Sequence, residues 1–92
     1  MRLLFNNRDK TAVLTCCHIT EQNSDILYVS HDGEDGMWQF LCGKSHTPDQ
    51  GRIVSLSEII TLDKSVKKIL FMPCGYFAER SNKKAKWSIK KK

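Results

Sequence analysis

The chain has 92 residues, which predicts one domain with a modest core. No apolar stretch approaches the ~20 residues that cross a bilayer, and the apolar start is too short for a signal peptide, so we expect a cytoplasmic protein without a membrane anchor. The net charge of +5 is uneven, because residues 83–92 hold six lysines and no acid, whereas residues 11–43 hold five acids and no Lys or Arg. The basic charge is therefore terminal and does not by itself indicate nucleic-acid binding.

The first half of the chain is predicted to be extended. Residues 1–10 are expected to form an N-terminal extension, residues 11–90 a single domain, and residues 91–92 a basic end. Residues 11–16 are β-prone and predict a buried first strand, and the polar residues 18–25 predict a connection. Residues 26–31 and 37–42 predict a hairpin, because two glycines and two aspartates favour a turn at residues 32–36. Trp38, Phe40 and Cys42 are then expected to share one face of the second strand.

The second half is predicted to be helical and then extended. Ile53 and Val54 are read as a short edge strand. Ser55 and Glu58 match a capping box at the start of a short helix, and Asp63 is predicted to cap a second helix. The apolar face of this second helix is predicted to comprise Leu62, Val66, Ile69 and Leu70.

Residues 76–80 and 85–90 predict a final hairpin, with Ala85, Trp87 and Ile89 facing inward. The order β-β-β-α-α-β-β predicts an α+β domain. We expect a small antiparallel sheet of about five strands, with one or two short helices packed on one face.

Cysteine and histidine residues give no clear metal motif. Cys16, Cys17, His18 and Cys42 lack the paired spacing of zinc ligands, and neighbours on a strand point to opposite faces. The sequence therefore favours buried reduced thiols and predicts no metal or cofactor. The acidic residues 32–36 also fail as a calcium loop, because Gly43 stands where an EF-hand needs glutamate.

Catalytic residues are not predicted either. The Gly-x-Ser-x-Gly motif is absent, and Ser30, His31 and Asp32 are too close in sequence to form a triad. An enzyme that uses Cys74 or a site around His31 remains as an alternative. Arg80 is expected to hold a carboxylate from elsewhere in the fold.

Several segments of the chain resemble one protein family. They include Asp35-Gly36-Met37-Trp38-Gln39-Phe40, the stretch from Val54 to Asp63, and the stretch from Pro73 to Arg80. The chain resembles, over about residues 11–87, a family of small bacterial proteins first described as a domain of unknown function and later classed as predicted immunity proteins of polymorphic toxin systems. The positions that match the family pattern are Asp32, Asp35, Gly36, Trp38, Phe40, Leu62, Asp63, Gly75, Ala78 and Arg80.

The resemblance implies an α+β fold and a non-enzymatic protein that binds and occludes a protein toxin. Candidate partner-binding residues are Asp32, Glu34 and Asp35 of the acidic turn, together with Trp38 and Arg80. The alternative function is nucleic-acid binding through residues 83–92, where lysines alternate with an aromatic residue. The competing structural interpretation of these residues is an edge strand whose lysines deter pairing with other chains.

Overall fold

A six-stranded sheet forms the framework of the described residues. The computed structural model describes residues 11–44 and 47–92, so the predicted extension 1–10 lies outside them. The strands are β1 Ala12–Cys16, β2 Tyr28–His31, β3 Trp38–Leu41, β4 Gly51–Ser55, β5 Tyr76–Glu79 and β6 Ser88–Lys91. The helices are α1 Cys17–Gln22, α2 Leu56–Leu62 and the 3₁₀ helices Pro48–Gln50 and Lys64–Ile69. The α+β class is confirmed.

The strand order across the sheet is β4-β1-β3-β2-β5-β6. Both predicted hairpins are present, since β2 pairs antiparallel with β3 and β5 pairs antiparallel with β6. The predicted edge strand is also present as β4. However, β1 runs parallel to β3, so the sheet is mixed rather than wholly antiparallel. A parallel pair needs a crossover, which α1 and β2 supply.

One face of the sheet carries the core. Thr15, Phe40, Val29 and Ala78 align across four neighbouring strands, and each is at most 1% exposed. The helices cover this face with their apolar residues, as the alternation of strand side chains requires. The helix residues in the buried cluster are Ile19, Leu56, Ile59, Val66 and Ile69.

Both predicted N-cap residues are confirmed, although only the Ser55 half of the predicted capping box is present and the second helix is of a different type. Ser55 Oγ accepts a hydrogen bond from the Glu58 amide at 3.3 Å, and Asp63 Oδ1 accepts one from the Ser65 amide at 3.0 Å. The segment after Asp63 is a 3₁₀ helix. A 3₁₀ helix has three residues per turn, so the side chains after Asp63 do not continue the spacing of the preceding α-helix. Leu62 therefore does not join the predicted apolar face and is 45% exposed.

Two further sequence predictions are wrong in detail. The segment predicted as a connection contains α1, which buries Ile19 and ends at Asn23 in the left-handed conformation. Ile89 aligns with Ala78 on the helix face, as predicted, yet it is 38% exposed because β6 is the outermost strand.

Candidate functional site

The side of the sheet opposite the helices presents apolar side chains. Leu14, Tyr28, Leu41, Ile53 and Phe77 alternate with core residues along their strands and therefore point away from the helical layer. We call these five residues the open face. Ile53 is 61% exposed, the other four are half-buried, and the rings of Tyr28 and Phe77 stack at 5.6 Å. Ser30, which lies on the same side of the sheet between Gln39 and Phe77, is 2% exposed, so Ile53 is the one member of the open face that is largely exposed.

The acidic loop, residues 32–36, is held by its own aspartates. Asp32 Oδ1 accepts a hydrogen bond from the Glu34 amide, and Asp35 Oδ1 accepts one from the Met37 amide, each at 2.8 Å. Gly36 adopts a φ of 73°, which a side chain would disfavour. The loop is thus shaped locally, while Glu34 and Asp35 remain exposed at the surface.

Trp38 lies in the core rather than at the surface. It is 9% exposed, and its ring stacks on the His31 imidazole at 3.9 Å and on Phe40 at 6.1 Å. Trp38 therefore supports the base of the acidic loop, and the structure does not present it to a partner.

Arg80 is likewise buried, at 8% exposure, and holds a carboxylate as predicted. Its Nη2 donates to Asp63 Oδ2 at 2.5 Å and to the Ile26 carbonyl at 2.8 Å, and Nε donates to the same carbonyl at 3.0 Å. Nη1 donates to Ser65 Oγ and to the Lys83 carbonyl, each at 3.0 Å. All five guanidinium donors are therefore satisfied within the chain.

This network also fixes the charge state of Asp63. Burial alone would raise the pKa of Asp63, but hydrogen bonds from Ser65 and Arg80 outweigh it and hold that pKa below its usual value. The guanidinium also lies 4.1 Å from the centre of the Trp87 ring, in a cation–π contact. The network thus ties the Asp63 cap to β5 and to the segment before β6.

An exposed thiol and an imidazole meet beside the acidic loop. His31 Nδ1 lies 2.8 Å from the Met72 carbonyl, which only accepts, so this nitrogen carries the proton. In the neutral ring His31 Nε2 is then the acceptor, and it lies 3.5 Å from Cys74 Sγ. The sequence analysis named both residues separately; the structure pairs them because Gly75, with a φ of 90°, turns the chain back to bond the His31 carbonyl.

A second group of thiols lies at the opposite end of the sheet. Cys42 Sγ is 3.7 Å from Cys16 Sγ and 3.6 Å from His18 Nδ1. We call these three residues the thiol cluster. The spacing argument against a metal site assumed that the strand continues beyond Cys16. The chain instead enters α1 at Cys17, and this turn brings His18 back toward the two sulfurs.

A basic cleft of about 380 Å³ borders the C-terminal hairpin. Trp87 is half-buried in its wall, and lysines surround the opening. Lys90 pairs with Glu79 at 3.0 Å on the neighbouring strand. The lysines that line the cleft are Lys68, Lys83, Lys84 and Lys86.

No helix in the described residues combines the length and apolarity that crossing a membrane requires. No family model, curated protein or solved structure matches the chain.

Proposed function

We propose that the chain is a non-enzymatic, cytoplasmic protein-binding module that neutralises a bacterial protein toxin by covering its functional surface. The open face is the observation that carries this proposal. Apolar side chains at a molecular boundary gain free energy when a partner removes them from water. Exposed apolar side chains at such a surface are typical of protein interaction sites.

The acidic loop supports a basic partner. Glu34 and Asp35 are exposed, and residues 11–43 contain no Lys or Arg to offset them. The loop joins β2 and β3, and the outward pair Tyr28 and Leu41 of the open face lies at the other end of the same hairpin. A positively charged toxin surface would be drawn to the loop during encounter and then seated on the open face. Occlusion in this way needs no chemical step.

Growth protection tests the proposal directly. The products of the genes that neighbour this one are screened for a growth-inhibiting protein, which is then co-expressed with the chain in a sensitive host. We expect the unmodified chain to restore growth and Ile53→Asp to weaken the complex by more than about tenfold in Kd, which corresponds to about 1.4 kcal/mol. If the unmodified chain and Ile53→Asp bind the toxin with the same Kd, the open face is not the binding surface.

A matched control comes from Phe71. This side chain is 72% exposed and apolar, but it follows the 3₁₀ helix Lys64–Ile69 and is not part of the open face. Phe71→Asp therefore introduces the same charge at an equally exposed apolar position. We expect it to leave both Kd and growth protection unchanged, and thermal melting of both variants shows that each is folded.

The loop charges are tested through the association rate. The triple change Asp32→Asn, Glu34→Gln and Asp35→Asn removes three charges but keeps the side-chain oxygens that accept the loop's hydrogen bonds. The expected result is slower association at low salt with little change in the dissociation rate. An unaltered association rate would remove the loop from the proposal.

Nucleic-acid binding is the second candidate, favoured by the basic cleft. Four lysines around an aromatic ring form the type of surface that single-stranded nucleic acid binds. Fluorescence anisotropy with a labelled oligothymidylate at low salt tests it. Binding that weakens steeply with salt and is lost in Lys83→Gln/Lys84→Gln/Lys86→Gln supports this candidate, and absence of binding at low salt excludes it.

A further inference from the structure

Three elements of the fold converge at the thiol cluster. Strands β1 and β3 are parallel neighbours in register, with Leu14 opposite Gln39 and Thr15 opposite Phe40. Their carboxyl ends therefore lie side by side, and Cys16 ends β1 while Cys42 directly follows β3. His18 comes from the first turn of α1, which begins immediately after β1. Residues distant in sequence are thus placed together by the crossover between the parallel strands.

Two of the three distances within the thiol cluster match those between ligands of a tetrahedral metal ion. The sulfurs of Cys16 and Cys42 are 3.7 Å apart, and Cys42 Sγ lies 3.6 Å from His18 Nδ1. The ligand atoms of all three residues lie within 4.8 Å of one another. Zinc–sulfur bonds of about 2.3 Å and zinc–nitrogen bonds of about 2.0–2.1 Å place two sulfurs about 3.8 Å apart, and sulfur and nitrogen about 3.6 Å apart, at the tetrahedral angle.

The surroundings of the thiol cluster suit a cation bound by thiolates. Cys16 is 1% exposed and Cys42 5% exposed, whereas His18 is half-buried and reaches toward the surface. A bound divalent cation supplies the positive charge that compensates buried thiolates.

We propose that Cys16, His18 and Cys42 bind a single zinc ion, with the fourth position open to water or another donor. Thiolate and imidazole ligands together select zinc among the common divalent cations. Such an ion joins β1, α1 and β3 at the end of the sheet that is distant from the acidic loop. Leu41 of the open face directly precedes Cys42, so the zinc site borders that surface, but the test of the zinc site needs no protein partner.

Cobalt(II) is the probe for this site, because it takes the tetrahedral geometry of zinc and reports its ligands by absorption. The full chain is purified, reduced, stripped with a chelator and titrated with Co²⁺. We expect one equivalent to produce thiolate-to-cobalt charge-transfer absorption and tetrahedral d–d bands, and zinc to displace it stoichiometrically. Zinc is also expected to raise the Tm of the protein, because it binds the folded state preferentially.

Variants assign the ligands. Cys42→Ser removes a ligand at a buried position, and His18→Gln removes one at a half-buried position, where folding is easier to retain. We expect each to weaken cobalt affinity by more than about 100-fold, since even changes outside the ligand shell lower metal affinity by about 10–100-fold. Cys74→Ser is the matched control, because Cys74 also contacts a histidine ring but lies outside the thiol cluster. It should leave the cobalt spectrum unchanged.

Two results would overturn the zinc site. One is reduced wild-type protein that develops no charge-transfer absorption with excess Co²⁺. The other is a spectrum that persists in Cys42→Ser and His18→Gln but disappears in Cys74→Ser. Oxidation distinguishes a redox pair from a metal site. An added oxidant such as oxidised glutathione can take two hydrogens from Cys16 and Cys42 and leave a disulfide between them. If this disulfide forms in protein that binds no cobalt when reduced, the two cysteines are a redox pair and not metal ligands.

Discussion

Replacement of Arg80 by methionine tests how strongly the guanidinium network stabilises the fold. Methionine keeps an unbranched apolar stem but removes five hydrogen bonds, two of them to the Ile26 carbonyl. It also leaves the Asp63 carboxylate without its cation, at a position where the two side chains are 1% and 9% exposed. Removal of one partner from a buried ion pair costs about 3–5 kcal/mol, because the remaining charge is not compensated.

We expect urea denaturation to show that the free energy of unfolding falls by this amount, which is a large part of the about 5–15 kcal/mol of a typical domain. At the conversion of about 4–8 °C per kcal/mol for a domain of this size, the Tm falls by about 12 °C or more. The double variant Arg80→Met/Asp63→Asn should lose less than the sum of its single changes, because no uncompensated carboxylate remains. The asparagine side chain in this double variant would still offer an oxygen to the Ser65 amide as the helix cap.

Arg52 provides the control for this prediction. Its Nε donates to Glu21 at 2.7 Å, but the two side chains are 38% and 56% exposed, and exposed pairs contribute little to stability. Arg52→Met should leave the denaturation midpoint within experimental error. The reasoning about Arg80 is refuted if Arg80→Met shifts the midpoint no further than Arg52→Met does.

Three other predictions concern acid stability, backbone conformation and thiol reactivity. The pKa of Asp63 is lower in the folded protein than its unfolded value of about 3.9, so the carboxylate stabilises the fold above about pH 3.9. This stabilisation is lost as the pH falls through the folded pKa. Asp63→Asn should therefore flatten the pH dependence of the denaturation midpoint in this acidic range. Gly75→Ala, at a φ of 90°, should lower stability by about 1 kcal/mol or more, whereas Gly51→Ala, at a φ of −73°, should not, and equal midpoints for the two variants would contradict this. Iodoacetamide should modify the exposed Cys74 well before the buried cysteines, as measured by peptide mass spectrometry, and simultaneous modification would show that the core opens readily.

Local signals predicted much of the fold. The glycines and aspartates of residues 32–36 predicted the β2–β3 hairpin, and Ser55 and Asp63 predicted the two helix caps. Each of these signals acts over a few residues, so a single sequence contains it. Helix α1 was missed because its six residues bury only Ile19 and its N-cap residue makes no side-chain hydrogen bond, so neither periodicity nor capping marks it.

Long-range pairing was the part that the sequence could not supply. The parallel contact of β1 with β3 leaves no mark on the alternation of either strand, and the thiol cluster depends on it. The sequence predicted a carboxylate partner for Arg80 but not that this partner is Asp63, which lies 17 residues away on another element. Trp38, predicted as a partner-binding residue, proved to be a core residue.

The central claim is that the open face binds a basic protein toxin, and the Kd of that complex tests it most directly. Calorimetric titration of this chain with the growth-inhibiting protein found in that screen of neighbouring genes should give a saturable one-to-one complex. We predict that Ile53→Asp weakens the complex by more than about tenfold and that Phe71→Asp does not. No measurable complex, or equal Kd values for the two variants, would contradict the account.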